Sequence, residues 1–226
     1  PKQICIPEYF RLFNKRKQNL SSGKSKEYED LKNEHGRPLD CIKCGQCEQV
    51  CPYHSIELAD ITQGLGVGTP FIEPLKRACY LCTALPCVLA CPTNALDHKV
   101  EKPQDVKMGV AVFKYSNKCI GISTEKVSRK NINKIYEHSH KNNLENKILE
   151  KLENYEDKQC TICADMCPFP NSILAIEMID DSANNGKRPK INSSCVGCGV
   201  CAELCPSSAI IIEPRLSYED YYINGK

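Results

Sequence analysis

Sixteen of the 17 cysteines in this chain fall into four groups, and their spacing limits what the surrounding backbone can do. The first group is Cys41-x2-Cys44-x2-Cys47-x3-Cys51-Pro52, and the second is Cys79-x2-Cys82-x4-Cys87-x3-Cys91-Pro92. The third is split, with Cys119 far ahead of Cys160-x2-Cys163-x3-Cys167-Pro168. The fourth, Cys195-x2-Cys198-x2-Cys201-x3-Cys205-Pro206, repeats the first, and only Cys5 stands outside. Cysteine makes up about 8% of the 226 residues, and without it the hydrophobic fraction falls from 41% to about 33%. Ordinary globular domains use roughly 45–50% apolar residues. Side-chain packing alone would leave this chain short of core, so its interior must hold something else.

Three uses of so many thiols compete. A disulfide framework suits small secreted chains, but four copies of one tight spacing ending in Cys-Pro do not look like such a framework. Structural zinc takes four thiolates from two Cys-x2-Cys knuckles, brought together across a longer gap. Here three cysteines crowd one short loop and a fourth lies three residues on, immediately before proline. That is the bacterial iron–sulfur run C-x2-C-x2-C-x3-C-P.

The chemistry explains the spacing. Three thiolates on one curled loop each reach a different iron of a cubane, while the fourth faces away and ligates the neighbouring cluster. Proline after the fourth cysteine donates no N–H and redirects the chain. Gly45, Gly197 and Gly199 allow the backbone angles that such a wrap demands. Four cubanes need sixteen thiolates, the number the groups supply, so four [4Fe-4S] clusters without an open iron site are expected. That favours electron relay over substrate chemistry. The C-x3-C-x2-C triplet of radical enzymes is absent, since His54, Asn94, Pro170 and Ser208 stand at the third position after each Cys-x3-Cys.

The rest of the chain excludes more than it suggests. Thirty Lys+Arg against 28 Asp+Glu give a net charge of +2, no strong pointer to nucleic acid or a membrane surface. No apolar run approaches the roughly 18 residues of a spanning helix; the longest are stretches such as Ala209-Ile210-Ile211-Ile212. No nucleophile triad, acid dyad or nucleotide loop stands out, so no catalytic residue is expected. The glycines of Gly64-Leu65-Gly66-Val67-Gly68 read as a turning connection rather than a phosphate cradle, for want of strand–turn–helix context. His138 and His140 sit in polar sequence and read as solvated. His54 reads as a surface residue, with hydrogen-bond tuning of a cluster as the alternative. Cys5 reads as a bystander thiol.

Group starts at 41, 79, 119 and 195 are 38, 40 and 76 residues apart, and removing about 35 residues from the last gap restores a period near 40. Each unit reads as a loop, a helical turn and a short strand: Ile56-Glu57-Leu58, Ile173-Leu174-Ala175-Ile176 and Ile210-Ile211-Ile212 follow groups. Val110-Ala111-Val112-Phe113 and Lys190-Ile191 precede cysteines as further strands. Within the Lys-, Asn- and Glu-rich residues 120–159, Leu144, Ile148, Leu152 and Tyr155 recur at helical spacing. That amphipathic helix is expected to pack on its own protein, with a partner-docking or dimer face as the alternative. Residues 1–40 read as a polar arm with basic patches, and 215–226 as a tail with an aromatic segment at Tyr218-Glu219-Asp220-Tyr221-Tyr222. The expected class is α+β: two ferredoxin-like, two-cluster modules built around metal clusters, with a helical insertion and an N-terminal arm. Without its clusters such a chain should fold poorly.

With four groups in this order, residues 38–214 resemble the four-cluster ferredoxin subunits of the NapG/MauM type. They are also similar to relay subunits of molybdenum and tungsten oxidoreductases. The split third group is the most diagnostic part. Cys41-Ile42-Lys43-Cys44-Gly45-Gln46-Cys47, Gly68-Thr69-Pro70 and Cys79-Tyr80-Leu81-Cys82 carry the likeness further. The resemblance implies a nested pairing: an outer module of 41–58 with 189–214, and an inner module of 59–188 that includes the insertion. It implies clusters held by Cys41, Cys44, Cys47 with Cys205; Cys195, Cys198, Cys201 with Cys51; Cys79, Cys82, Cys87 with Cys167; and Cys119, Cys160, Cys163 with Cys91. The gap between Cys119 and Cys160 is longer than the family leads one to expect, so the partner surface is expected to differ.

The function so implied is a non-catalytic iron–sulfur subunit. It would relay single electrons between a tungsten or molybdenum catalytic subunit and another carrier or membrane redox module in anaerobic metabolism. A structural zinc scaffold and an accessory ferredoxin used in maturation of a reductase are the alternatives. The family is usually exported behind a twin-arginine signal. No Arg-Arg or apolar leader occurs here, and proline at position 1 suits removal of an initiator methionine better than signal cleavage. Cytoplasmic location is therefore expected, with a periplasmic one after signal removal as the alternative.

Overall fold

A computed structural model describes residues 41–61, 67–106, 108–123, 125–137, 143–169, 174–182 and 184–213. The N-terminal arm, the tail, Cys5, His138, His140, Gly64 and Ile173 lie outside these described residues. Each cysteine group bends the chain into a loop closed by one helical turn. These turns are α1 (Gln46–Gln49), α2 (Pro86–Leu89), α5 (Ile162–Asp165) and α6 (Val200–Glu203). Three start from a residue in the left-handed region: Gly45 at φ 74°, Leu85 at φ 42° and Gly199 at φ 95°. The residue before the second cysteine repeats this at Lys43, Leu81 and Gly197. Glycine is required at two of these positions for space as well as angle. A Cβ on Gly199 would lie 2.6 Å from Pro74 Cβ, and one on Gly197 would lie 2.3 Å from the Gly109 carbonyl carbon. Group three departs from the pattern, and α5 follows Thr161 at φ −128°.

The strands are short and pair antiparallel in three two-stranded sheets. β1 (Glu57–Leu58) pairs β2 (Pro70–Phe71), and β4 (Ile176–Asp181) pairs β5 (Gly186–Ile191). β3 (Val110–Phe113) pairs β6 (Ile210–Glu213) across nearly 100 residues, with Ala111 opposite Ile212. The expected strands at 110–113 and 210–212 are therefore present, and Ile56–Leu58 yields β1. The run at 173–176 contributes only Ile176, since Leu174 precedes the strand and is half exposed.

Two helices, rather than one, fill the insertion. α3 (Arg129–Tyr136) begins at a reciprocal cap in which Ser128 and Asn131 each bind the other's backbone N–H, an arrangement worth about 1 kcal/mol. α4 (Asn143–Glu153) carries the expected apolar face, and Leu149 and Leu152 are buried. Tyr136 Oη donates to the Leu149 carbonyl at 3.0 Å, and Val127 and Lys158 close the base of the pair. Ile132, Ile135, Leu149 and Leu152 join Val127, Ile162 and the residues around group four in one core. The helical insertion thus packs on its own protein. Burial of each large aliphatic side chain there contributes roughly 1.5–3 kcal/mol.

α1 packs against α2, and α5 against α6. The chain is a mixed fold of short helices and small sheets in which adjacent cysteine groups pack together. A joint connects the two halves: Cys79 N–H donates to the Cys198 carbonyl at 2.9 Å, and Ala78 N–H to Glu203 Oε2 at 2.8 Å. Buried Arg77 donates to the Tyr53 carbonyl at 2.7 Å and forms an ion pair with Glu145 of α4. Among the described residues no helix is long and apolar enough to cross a membrane.

Candidate metal centres

All sixteen grouped cysteines are free thiols, so no disulfide framework exists among them. Cys163, Cys195, Cys198 and Cys201 are buried, whereas Cys44 is exposed. Cys167, Cys195, Cys198 and Cys201 line one small, apolar-walled cleft, together with neighbours that include Ala111, Val196, Ile176 and Ile212. Three of these thiols come from one loop and the fourth from the neighbouring group.

Electrostatics locates two more such sets. Burial pushes the Cys79 thiol up to about 12, with the nearby Cys87, Cys82 and Cys51 adding to the shift. Burial likewise raises Cys82 and Cys87, and in both Cys51 makes the largest contribution of any thiol. Cys160 is raised to about 11 by burial first, with Cys205 and Cys119 adding to the shift, and Cys163 is lifted by burial and then by Cys160, Cys205 and Cys119. The sets are therefore Cys79, Cys82, Cys87 with Cys51; Cys119, Cys160, Cys163 with Cys205; and Cys195, Cys198, Cys201 with Cys167. Cys41, Cys44 and Cys47 share the first loop, and Cys91 follows the C-cap of α2, which packs on α1.

This neighbourhood of thiols differs from the nested pairing implied by the resemblance. Cys51 lies with the second group rather than the fourth, Cys167 with the fourth rather than the second, and Cys205 with the third rather than the first. The physical reason is the short connection. Groups one and two, and the later part of group three with group four, are close enough in sequence for their single-turn helices to pack directly.

Backbone N–H groups aim at the sulfurs. Ser55 N–H donates to Cys51 Sγ at 3.3 Å, Ala209 N–H to Cys205 Sγ at 3.3 Å, Leu96 N–H to Cys91 Sγ at 3.4 Å, and Ala111 N–H to Cys195 Sγ at 3.4 Å. Three follow from one local turn. His54, Asn94 and Ser208, each three residues after the fourth cysteine, adopt φ of 50°, 58° and 52° and fold the next amides back. In group three that position is Pro170, whose ring forbids the angle. For Cys91, burial pushes the thiol up but donors from Leu96 and Thr93 outweigh it, and the net shift is downward. His54 is exposed, and its role here is backbone turning rather than a ring bond to sulfur. The Ser55, Leu96, Ala111 and Ala209 amides were invisible to residue-type reasoning, because any residue can donate them; the Cys-Pro-x-x spacing signals the three local ones, and nothing local signals Ala111.

A buried thiol with a raised pKa resists ionisation unless a cationic centre compensates, and an iron–sulfur core supplies that charge. Tetrahedral zinc would draw its thiolates around one ion at about 2.3 Å. Among the described residues no three His, Cys, Asp or Glu side chains converge on such a point. Thiols that line a cavity, each free to meet a different iron, fit a cubane.

Comparison with known proteins agrees. The 4Fe-4S dicluster domain matches residues 40–95 and 158–209, two stretches that divide the cysteine groups as the helix packing does. The chain is similar to the methylamine utilization ferredoxin-type protein MauM of Paracoccus denitrificans, 31% identical over 77% of this chain and 65% of that protein. It is similar to the ferredoxin-type protein NapG of Escherichia coli, 28% identical over 76% of this chain and 62% of that protein. NapG of Haemophilus influenzae is 26% identical over 73% of this chain and 49% of that protein. The chain thus spans less than two thirds of the length of these relatives. Grouped free thiols, a 4Fe-4S dicluster match in both halves and these relatives together mark the chain as carrying 4Fe-4S dicluster domains and as similar to the ferredoxin-type proteins MauM and NapG.

Proposed function

We propose that the chain is a four-cluster electron relay, a subunit without catalytic residues of its own. Four [4Fe-4S] clusters would be held by Cys41, Cys44, Cys47 and Cys91; by Cys79, Cys82, Cys87 and Cys51; by Cys195, Cys198, Cys201 and Cys167; and by Cys119, Cys160, Cys163 and Cys205. Each cluster, when bound, supplies a one-electron redox centre. The protein's part is to hold, space and tune these centres. The corresponding modules are 41–100 and 108–213.

The carrying observation is the continuity of the thiol sets. The Cys79 amide bonds the Cys198 carbonyl at 2.9 Å, and Cys87 lies near enough to act on Cys47, Cys79 on Cys198 and Cys163 on Cys201. The order supported is group one, group two, group four, group three, with the first and last at the ends. A relay needs such an unbroken file, whereas four independent structural zinc sites do not. The N–H donors at Cys51, Cys91, Cys195 and Cys205 would raise the potential of the clusters they face.

We further propose a catalytic oxidoreductase subunit, of the molybdenum or tungsten class, at one end and a second carrier or membrane module at the other. A reducing compartment suits sixteen free thiols, which supports the cytoplasm as the place of assembly. Protein purified anaerobically from its native cells should carry about 16 Fe per chain with little Zn, and co-purify with Mo or W. About four Zn and almost no Fe would replace the relay with a scaffold. Full iron loading without a stoichiometric partner would favour a maturation role.

A further inference from the structure

The two ends of the proposed file differ in surface chemistry. Around group one, residues 41–61 hold one cation, Lys43, against Glu48, Glu57 and Asp60, beside the exposed Ile42 and Leu89. Around group three, residues 114–134 hold Lys114, Lys118, Lys126, Arg129, Lys130 and Lys134 against Glu125 alone. The chain's overall charge is only +2, so this is a concentration of cations rather than a uniform background.

Local contacts tie these cations to the thiols of the last set. Tyr115, which follows Lys114, donates its N–H to the Ala209 carbonyl, and Ala209 N–H in turn donates to Cys205 Sγ. Lys118 directly precedes Cys119, and its Nζ lies 4.7 Å from the centre of the exposed Tyr115 ring. Lys126 bridges to Gln159, the residue before Cys160. Lys134 Nζ donates to the carbonyl of Pro206, next to Cys205. Arg129 is engaged by Glu153 and Glu156, but among the described residues no carboxylate pairs with Lys114, Lys118, Lys126 or Lys130. All four are exposed.

We propose that this lysine-rich face is the docking surface for an acidic electron-carrier protein, an inference that rests on the relay reading above. The partner is argued from charge complementarity. Unpaired lysines ringing a terminal redox centre attract a carboxylate-covered protein and orient its own centre toward that end. The free cations are lysines, flexible point charges, rather than arginine forks suited to bidentate phosphate capture. The remainder of the insertion, α3 and α4, anchors the face through the buried Ile132, Ile135, Leu149 and Leu152.

Holoprotein, prepared anaerobically, is titrated with an oxidised small acidic two-cluster ferredoxin as the probe, and the dissociation constant is read by calorimetry. Affinity should fall about tenfold or more between low and physiological salt, because exposed charge pairs are screened over about 8 Å at 0.15 M. The combined variant Lys114→Glu, Lys118→Glu, Lys130→Glu should bind at least tenfold more weakly, and Lys102→Glu, in the connection between the two halves, should change affinity less than twofold. If that variant loses iron, the neutral Lys114→Gln, Lys118→Gln, Lys130→Gln variant takes its place, with a smaller loss expected. Unchanged affinity in the variant, or tighter binding of a DNA duplex or of anionic vesicles than of the ferredoxin, would overturn the proposal. Bleaching of cluster absorbance by dithionite checks the relay reading separately. No bleaching sinks that reading, whatever the titration shows.

Discussion

Residues 41–100 and residues 108–213 each carry eight of the cysteines, in surroundings that could hardly differ more. The later half is an apolar fold that also holds thiols: Ile132, Leu152, Ile162, Val200, Leu204 and Ile210 are almost fully buried, and so are four of its cysteines. The earlier half is chiefly cysteine loops and turns. It contributes few large side chains to the core, leaves Cys44 open, and exposes Ile42, Ile61, Val67 and Leu89. The insertion makes the difference, because α3 and α4 supply to one half the aliphatic surface that the other lacks. One thiol pattern can therefore be held by a metal cluster with little else, or by a cluster within a conventional core.

The largest expected effect comes from iron removal. Chelation under anaerobic conditions should abolish amide protection throughout 41–100 while α3, α4 and the β4–β5 pair keep much of theirs, as hydrogen exchange would record. Equal loss in both halves would erase the distinction. Next in size is the joint. Arg77→Met removes the cation that Glu145 and the Tyr53 carbonyl share, and breaking a buried pair from one side costs about 3–5 kcal/mol, measurable as a lowered denaturant midpoint. Gly199→Ala should cost about 2–4 kcal/mol, combining left-handed strain with the collision at Pro74. Its counterpart in the earlier half has the opposite sign: Lys43→Gly, at φ 58° and exposed, should gain up to about 1 kcal/mol.

Glu203, at the joint, gives a pH test. Burial lifts its carboxyl to about 7, against an ordinary value of 4.5, though Ala78 N–H and Tyr80 Oη hold it by hydrogen bonds and Arg77 pulls the other way. A raised acid favours the protonated form in the folded state. Its contribution is whole below about pH 4.5 and is lost as pH rises through 7. Glu203→Gln should therefore gain on the natural chain between pH 5 and pH 8, by at most about 3 kcal/mol. A gap that does not grow with pH would show that the carboxyl titrates normally.

Much of this was legible in the amino-acid sequence, for identifiable reasons. Cysteine spacing and proline are local, so the loops and their single helical turns could be read directly. The β-branched runs at 110–113 and 210–212 and the period of Leu144, Ile148 and Leu152 were equally local. What escaped depends on contacts distant in sequence. Which fourth cysteine lies near which loop depends on packing of α1 on α2 and α5 on α6, and the resemblance implied a different, nested pairing. Left-handed Lys43, Leu81 and Leu85 carry no glycine to betray them. α3 was hidden because only Ile132 and Ile135 of its eight residues are buried.

The most direct measurement is electron paramagnetic resonance of the fully reduced holoprotein, with spins counted per chain. About four spins with broadened, mutually coupled signals are predicted, since thiols of successive sets lie close enough to perturb one another. Fewer spins with full iron loading, or four sharp signals without coupling, would contradict an unbroken file of clusters through the two halves.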